Sequence, residues 1–229
     1  MTIREEKSAF RRSIKSLISS QSSSQLSSQQ EKAVQQLLES DLYKKSTTIL
    51  AYVAQKNEFS LHSLIQEAMG AGKLLALPKC KPHDCSMEFY QLDNQLPYLD
   101  QVCAGSYGIL EPVSSLPQLD VRQLPESTLV LVPALAFTLQ GQRLGKGKGF
   151  YDRYLQRIPR SRDDKSLQKV GAAPSSGPLF IGVAYSCQIV ETLPVEKTDI
   201  PMHYILTPQG LLPYRNYYDE IIIFPSKYT

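Results

Sequence analysis

Leu129-Val130-Leu131-Val132-Pro133-Ala134-Leu135 is followed a few residues later by Gly141-Gln142-Arg143-Leu144-Gly145-Lys146-Gly147-Lys148-Gly149-Phe150-Tyr151-Asp152-Arg153-Tyr154-Leu155. The first run is apolar and rich in β-branched residues, as a buried strand is. Glycines ahead of an amphipathic segment read as a strand-to-helix loop. Gly145, Gly147 and Gly149, on alternate positions, allow positive φ and let backbone N–H groups approach an anion, to which the following helix adds its N-terminal partial charge. Arg143, Lys146 and Lys148 bring three cations to this loop, and Asp152 just beyond them is a carboxylate able to hold a metal. Together these features outline a phosphate site.

Two well-known phosphate loops do not fit. A Walker A loop requires Ser or Thr after its Gly-Lys, whereas here the lysines lie between glycines and Phe150 takes that place. The dinucleotide fingerprint requires a third glycine where Phe150 stands. Taken alone, the loop reads equally well as a basic surface turn.

A chain of 229 residues, 42% hydrophobic and 21% charged, is long enough for one sizeable core and is expected to form one domain. A net charge of +3 is too small and scattered to argue for nucleic acid. The local clusters, Lys7 to Lys15 and Arg143 to Lys148, suit a small anion instead. Cys80, Cys85, Cys103 and Cys187, with no signal-like segment and no run of eighteen apolar residues, lead to the expectation of a reducing cytoplasmic compartment and no membrane partner. Cys80, His83 and Cys85 lack zinc-site spacing and a second ligand pair, so free thiols are expected.

Phe10, Ile14, Leu17 and Ile18 have helical spacing, and Lys7 and Arg11 share one face of that helix, which by itself reads as a solvated basic face. Residues 19–30 are Ser/Gln-rich and read as a mobile linker without chemistry, with Ser28 and Glu31 spaced to cap a second helix through Ala33, Val34, Leu37 and Leu38. Thr47 to Val53 reads as a strand, residues 54–58 as a loop, Leu61 to Met69 as a helix and Leu74 to Pro78 as a second strand. This βαβ unit predicts a parallel sheet with ligands at its carboxyl end, where Glu58 falls. Further strands are expected at Met87–Gln91, Phe180–Tyr185 and Tyr204–Thr207. Residues 160–178 read as a surface insertion. Asp199, before Ile-Pro, reads as a turn former. Residues 211–229 are apolar enough to require packing on the body or on a second subunit.

The run Arg143 to Asp152 resembles the R-L-G-x-G-x-G-[FY]-Y-D signature of the 5-formyltetrahydrofolate cyclo-ligases, which follows a V-P-G-L-[AG]-F strand end. Here that end is Val132 to Phe137, with Ala134 in place of glycine and Thr138 in place of a frequent aspartate. Lys7 and Arg11 resemble the family's K-x-x-x-R element. Gly108 to Pro112, Gly182 to Tyr185 with Gln188, and Leu193 to Pro201 resemble further family segments, so that the resemblance spans residues 4–208. It implies a single three-layer α/β domain, residues 1–210, with a mainly parallel sheet and a C-terminal extension. It also implies ATP-dependent closure of 5-formyltetrahydrofolate to 5,10-methenyltetrahydrofolate through a phosphorylated formyl group. By that resemblance ATP is contacted by Lys7, Arg11, Arg143, Leu144, Gly145, Lys146, Gly147, Lys148, Gly149, Phe150 and Tyr151. The folate is contacted by Val53, Glu58 and Lys146 to Phe150, with Phe150 or Tyr151 near the pterin, while Tyr107 reads either as a neighbour of the pterin or as core or rim packing. Lys148, Arg143 and Tyr151 are the catalytic candidates, and Asp152 and Asp199 the candidates for Mg²⁺. A monomer is expected, with a dimer through the tail left open. A non-catalytic folate or nucleotide binder, or another small-molecule enzyme, stands as the alternative.

Overall fold

The computed structural model describes residues 2–159, 177–194, 196 and 199–214. Most of the 160–178 insertion and residues 215–229 of the tail therefore lie outside the described residues. Helices α1 (Ile3–Ser19) and α2 (Ser23–Glu39) and the short α3 (Asp41–Lys45) precede strand β1 (Thr48–Leu50), after which α4 (His62–Gly70) crosses to β2 (Leu74–Lys81). A hairpin returns as β3 (Ser86–Gln91), and β4 (Val102–Ala104) pairs with β5 (Leu110–Pro112) as a side ribbon. The stretch read first forms β6 (Thr128–Pro133), a small ribbon of β7 (Ala136–Phe137) and β8 (Arg143–Leu144), and helix α5 (Phe150–Gln156). Strands β9 (Leu179–Val183), β10 (Tyr204–Thr207) and β11 (Gly210–Pro213) complete the described chain.

The central sheet has seven strands in the order β11-β10-β9-β6-β1-β2-β3. Its five inner strands are parallel, with β3 and β11 antiparallel at the edges. Strand alternation divides the core in two. Ile49, Leu75, Leu129, Leu131 and Ile181 face the cluster that α1, α2 and α4 cover, while Leu50, Ala76, Val130, Val132 and Phe180 face the one packed by α5. This is the three-layer α/β arrangement the sequence predicts. Because β1 leads to β2 on one side while β6 adds on the other, the sheet's strand order reverses between β6 and β2 around β1. Such a switch point opens a crevice beyond the strands' carboxyl ends.

Two expectations are corrected. Residues 19–30 are not a linker: α2 begins at Ser23, capped by Ser22, whose side chain accepts from the Gln25 N–H while Gln25 bonds back to Ser22. That box lies six residues before the Ser28 expected from the spacing. The polar segment is helical because its orphan N–H groups are satisfied and Leu26, Ala33, Val34 and Leu37 bury one stripe. Leu17 is 45% exposed and is not on the buried face of α1, where Lys7 takes its place beside Ile14 and Ile18. The start of the tail, residues 211–213, belongs to the edge strand β11, paired with β10 from Tyr204↔Pro213 to Thr207↔Gly210.

Candidate active site

At the switch point lies a cavity of about 660 Å³. Tyr52 and Val53, just past β1, and Pro133 and Ala134, at the end of β6, line it. Residues 143–153 form one wall, and α1 contributes Lys7 and Arg11. Glu196 and Asp199 close the cationic end, whereas Pro78, Cys80, Met87 and Ile109 make an apolar side. The structure thus gathers Lys7, Arg11, Val53, Glu58, Asp152, Asp199 and the whole run Arg143 to Tyr151 around one space.

The loop is shaped by particular glycines. Gly147 and Gly149 have φ of 97° and 69°, but Gly145 does not take positive φ, so two glycines rather than three use the left-handed region. A side chain on Gly147 would also come within 3.3 Å of the Arg11 guanidinium carbon. Upstream, Gly141 turns the β7–β8 ribbon at φ 71°, where a Cβ would lie 2.4 Å from the Met202 carbonyl oxygen. The seven-residue α5 is held from behind by a two-pronged ion pair, Arg157 Nη1 to Glu88 Oε1 at 2.7 Å and Nη2 to Oε2 at 3.1 Å. Tyr154 packs on Phe89 with ring centroids 4.8 Å apart.

Cations and carboxylates alternate around the cavity. Lys7 Nζ donates to Glu196 at 2.8 Å and to Asp199 at 3.2 Å. Burial pulls the Lys7 pKa down, but the bonds to Glu196 and Asp199 outweigh it, so the ammonium titrates above its ordinary value. Arg143, with its side chain only 5% exposed, pairs with Asp152. Burial lowers the Arg143 pKa, and Asp152 and Asp199 act against that. Lys146 pairs with Glu58 at 2.6 Å and also bonds to Gln55, while Arg11 Nε donates to the Gly145 carbonyl at 3.0 Å. Six cationic side chains face four carboxylates, which leaves the lining net positive and suited to a polyanion.

Two buried polar atoms of the cavity-lining residues, Arg143 Nε and the Tyr151 hydroxyl, have no hydrogen-bond partner among the described residues. Burial, followed by the charge of Glu58, raises the Tyr151 pKa well above that of a free phenol. The hydroxyl therefore keeps its proton, on a residue that lines the cavity. Unpartnered groups of this kind cost stability unless a ligand completes them.

For three contributors only the fold shows what they do. Glu196 sits within the Leu193–Pro201 segment, but only the fold brings it to Lys7. Arg153 donates to the Cys85 carbonyl at 2.7 Å and to the Lys148 carbonyl, tying the β2–β3 hairpin to the glycine loop. Gln188 donates to the carbonyls of Ala134 and Leu135 at 2.8 and 3.1 Å, fixing the chain where it leaves β6. Cys80, Cys85, Cys103 and Cys187 are free thiols, and among the described residues no helix is long and apolar enough to cross a membrane.

The family model described as the 5-formyltetrahydrofolate cyclo-ligase family matches residues 3–208. A Caenorhabditis elegans protein called a probable 5-formyltetrahydrofolate cyclo-ligase is 28% identical over 98% of both chains. The Escherichia coli K12 5-formyltetrahydrofolate cyclo-ligase is 35% identical over 70% of this chain and 78% of its own. Among solved structures, the Aquifex aeolicus 5,10-methenyltetrahydrofolate synthetase superposes with a TM-score of 0.69 at 28% identity, covering 96% of this chain and 97% of that one.

Proposed function

The chain belongs to the 5-formyltetrahydrofolate cyclo-ligase family and is a ligase that closes 5-formyltetrahydrofolate to 5,10-methenyltetrahydrofolate at the expense of ATP; from that premise we propose how its own residues carry the reaction. The observation that carries the assignment is that a buried, incompletely bonded Arg143 and a Tyr151 hydroxyl without a partner among the described residues both belong to the lining of a net-positive cavity at the sheet's switch point.

Ring closure must expel the formyl oxygen, which leaves poorly as oxide. The formyl oxygen attacks the γ-phosphorus of ATP and ADP departs. N10 then adds its electron pair to the activated formyl carbon and loses its proton, and the C–O bond breaks to release phosphate. The protein's share of such a transfer is placement and charge compensation. Lys7, Arg11, Arg143, Lys148 and the backbone of residues 144–149 hold the triphosphate. Val53 and Glu58, the apolar side of the cavity and Phe150 hold the folate. Lys146, ion-paired to Glu58, stands between the two subsites. Tyr151, kept protonated, donates to charge developing on the transferred group, and Arg143 and Lys148 compensate the phosphoryl charge.

Magnesium fits as an ion shared with the triphosphate. Asp152 engages Arg143 through Oδ1, and Asp199 engages Lys7 and the Glu196 N–H through Oδ2, so each of these bonds uses one carboxylate oxygen and leaves the other for an ion. The described residues offer no group of three or more His, Cys, Asp or Glu able to enclose an ion by themselves. Mg²⁺ commonly takes one or two carboxylates, with phosphate oxygens and water completing its shell. Bound there, it would supply charge neutralisation on the β- and γ-phosphates.

A monomer in the cytoplasm is the proposed setting, the compartment because free thiols suit a reducing environment. The test is to follow methenyl absorbance and phosphate release together, with and without 5-formyltetrahydrofolate. Equal amounts of both products, each requiring both substrates, are expected. Binding without turnover would instead make the chain a folate or nucleotide binder.

A further inference from the structure

Helix α2 is rich in Ser and Gln, yet one of its side chains reaches toward the cavity. Gln30 Nε2 donates to the Tyr185 hydroxyl, and that hydroxyl donates to the Glu58 carbonyl at 3.2 Å. Tyr185 is 1% exposed and its ring lies 5.0 Å from the Phe59 ring, so the hydroxyl has little room to move. Gln188 accepts from the Tyr185 N–H at 2.8 Å and anchors the backbone beneath it. At the far end of this relay, Glu58 pairs with Lys146, accepts from the Gln55 N–H at 2.7 Å and donates its own N–H to the Gln55 carbonyl at 2.9 Å.

The relay has a direction. A phenol has one proton, and an amide N–H donated to its oxygen leaves that proton to be spent elsewhere. We propose that Gln30 is a positioning residue for substrate binding, holding the Tyr185 proton on the Glu58 carbonyl and so keeping the 55–58 loop and the Glu58 carboxylate at the folate side of the cavity. This rests on the assignment of Glu58 to the folate. A segment whose composition suggests a dispensable linker thereby becomes part of the substrate site's support.

The test compares Gln30→Met, which keeps the shape and loses the polarity, with Gln30→Glu, which keeps the shape but can only accept and so draws the Tyr185 proton away from Glu58. Tyr185→Phe and Glu58→Gln complete the set. Both Gln30 variants should raise KM for 5-formyltetrahydrofolate about threefold to tenfold, the effect of one neutral hydrogen bond. KM for ATP should stay within about twofold. Combining Gln30→Met with Tyr185→Phe should be no worse than the more severe single change, because both break one relay. Amide hydrogen exchange at Gln55 and Glu58 should quicken in the same variants. Wild-type KM and exchange in Gln30→Glu would overturn the proposal, as would folate and ATP constants rising together. If Glu58→Gln leaves the folate KM unchanged, the assignment of Glu58 fails by itself. Exchange at Gln55 and Glu58 then decides the relay, with faster exchange sustaining it and unchanged exchange ending it.

Discussion

At the residue scale, the most consequential groups are those whose contacts are incomplete or shared. The Tyr151 hydroxyl is buried with no hydrogen-bond partner among the described residues, so removing it relieves a desolvation cost while depriving the reaction of a donor. Tyr151→Phe is expected to unfold at the same or a higher temperature and to lose about tenfold to a hundredfold in kcat. A parallel fall in both would show that the hydroxyl is structural. Asp152 differs, because it neutralises a buried guanidinium. As a carboxylate near a helix start it would be worth only about 0.3–1 kcal/mol. As the partner of Arg143, Asp152→Asn should cost about 1.5–3 kcal/mol by urea unfolding, the range for hydrogen bonds to charged groups. The rate should also fall, with added magnesium restoring part of it if the aspartate helps to hold the ion. A loss of stability below about 0.5 kcal/mol would return Asp152 to the helix dipole alone. The pattern Arg143 to Asp152 is readable along the chain. That Arg143 is nearly inaccessible, and thus dependent on Asp152, is not, since its burial follows from the β7–β8 pairing and from the placement of α5 beside it.

At the element scale, α2 shows where composition misleads. The Ser/Gln-rich make-up of residues 19–30 argues against order, but a helix requires only one apolar stripe and satisfied ends. The two candidate capping serines make a direct comparison. Ser22→Ala removes the observed cap and should cost about 0.5–2 kcal/mol, whereas Ser28→Ala, within the helix, should be neutral or slightly stabilising. Thermal unfolding of the two variants checks this, and the reverse order would move the helix start back to Ser28. The glycine-loop helix α5 makes the complementary point. With seven residues it is too short to persist alone, and the Glu88–Arg157 pair and the Phe89–Tyr154 contact hold it on β3.

At the scale of the whole molecule, buried titratable groups set an alkaline limit. Burial, with the charge of Glu111, pushes the Cys80 thiol up to about 12 from an ordinary 9.0. Burial likewise raises Tyr52 and Tyr151 well above 10.0. Above about pH 9 the unfolded chain releases protons that the folded chain keeps, so stability must fall as pH rises. The urea midpoint should be level up to about pH 8.5 and decline from there to about pH 11, more gently in Cys80→Ala. A midpoint constant across that range would mean these groups are solvated. By itself the sequence determined the parallel βαβ core, through strands whose neighbours along the chain pair in space. It also determined the glycine-loop motif, because backbone approach to an anion imposes a local pattern of Gly and Lys. Only the tertiary structure decided which charges meet. Lys7 and Asp199 lie 192 residues apart and Gln30 and Tyr185 lie 155 apart, and contacts at such separations follow from sheet order and helix placement, not from any local spacing. Gly182 combines both levels. It stands in a motif visible along the chain, but its reason is the Phe137 ring, which a Cβ there would meet at 2.4 Å once β7 and β9 are folded together.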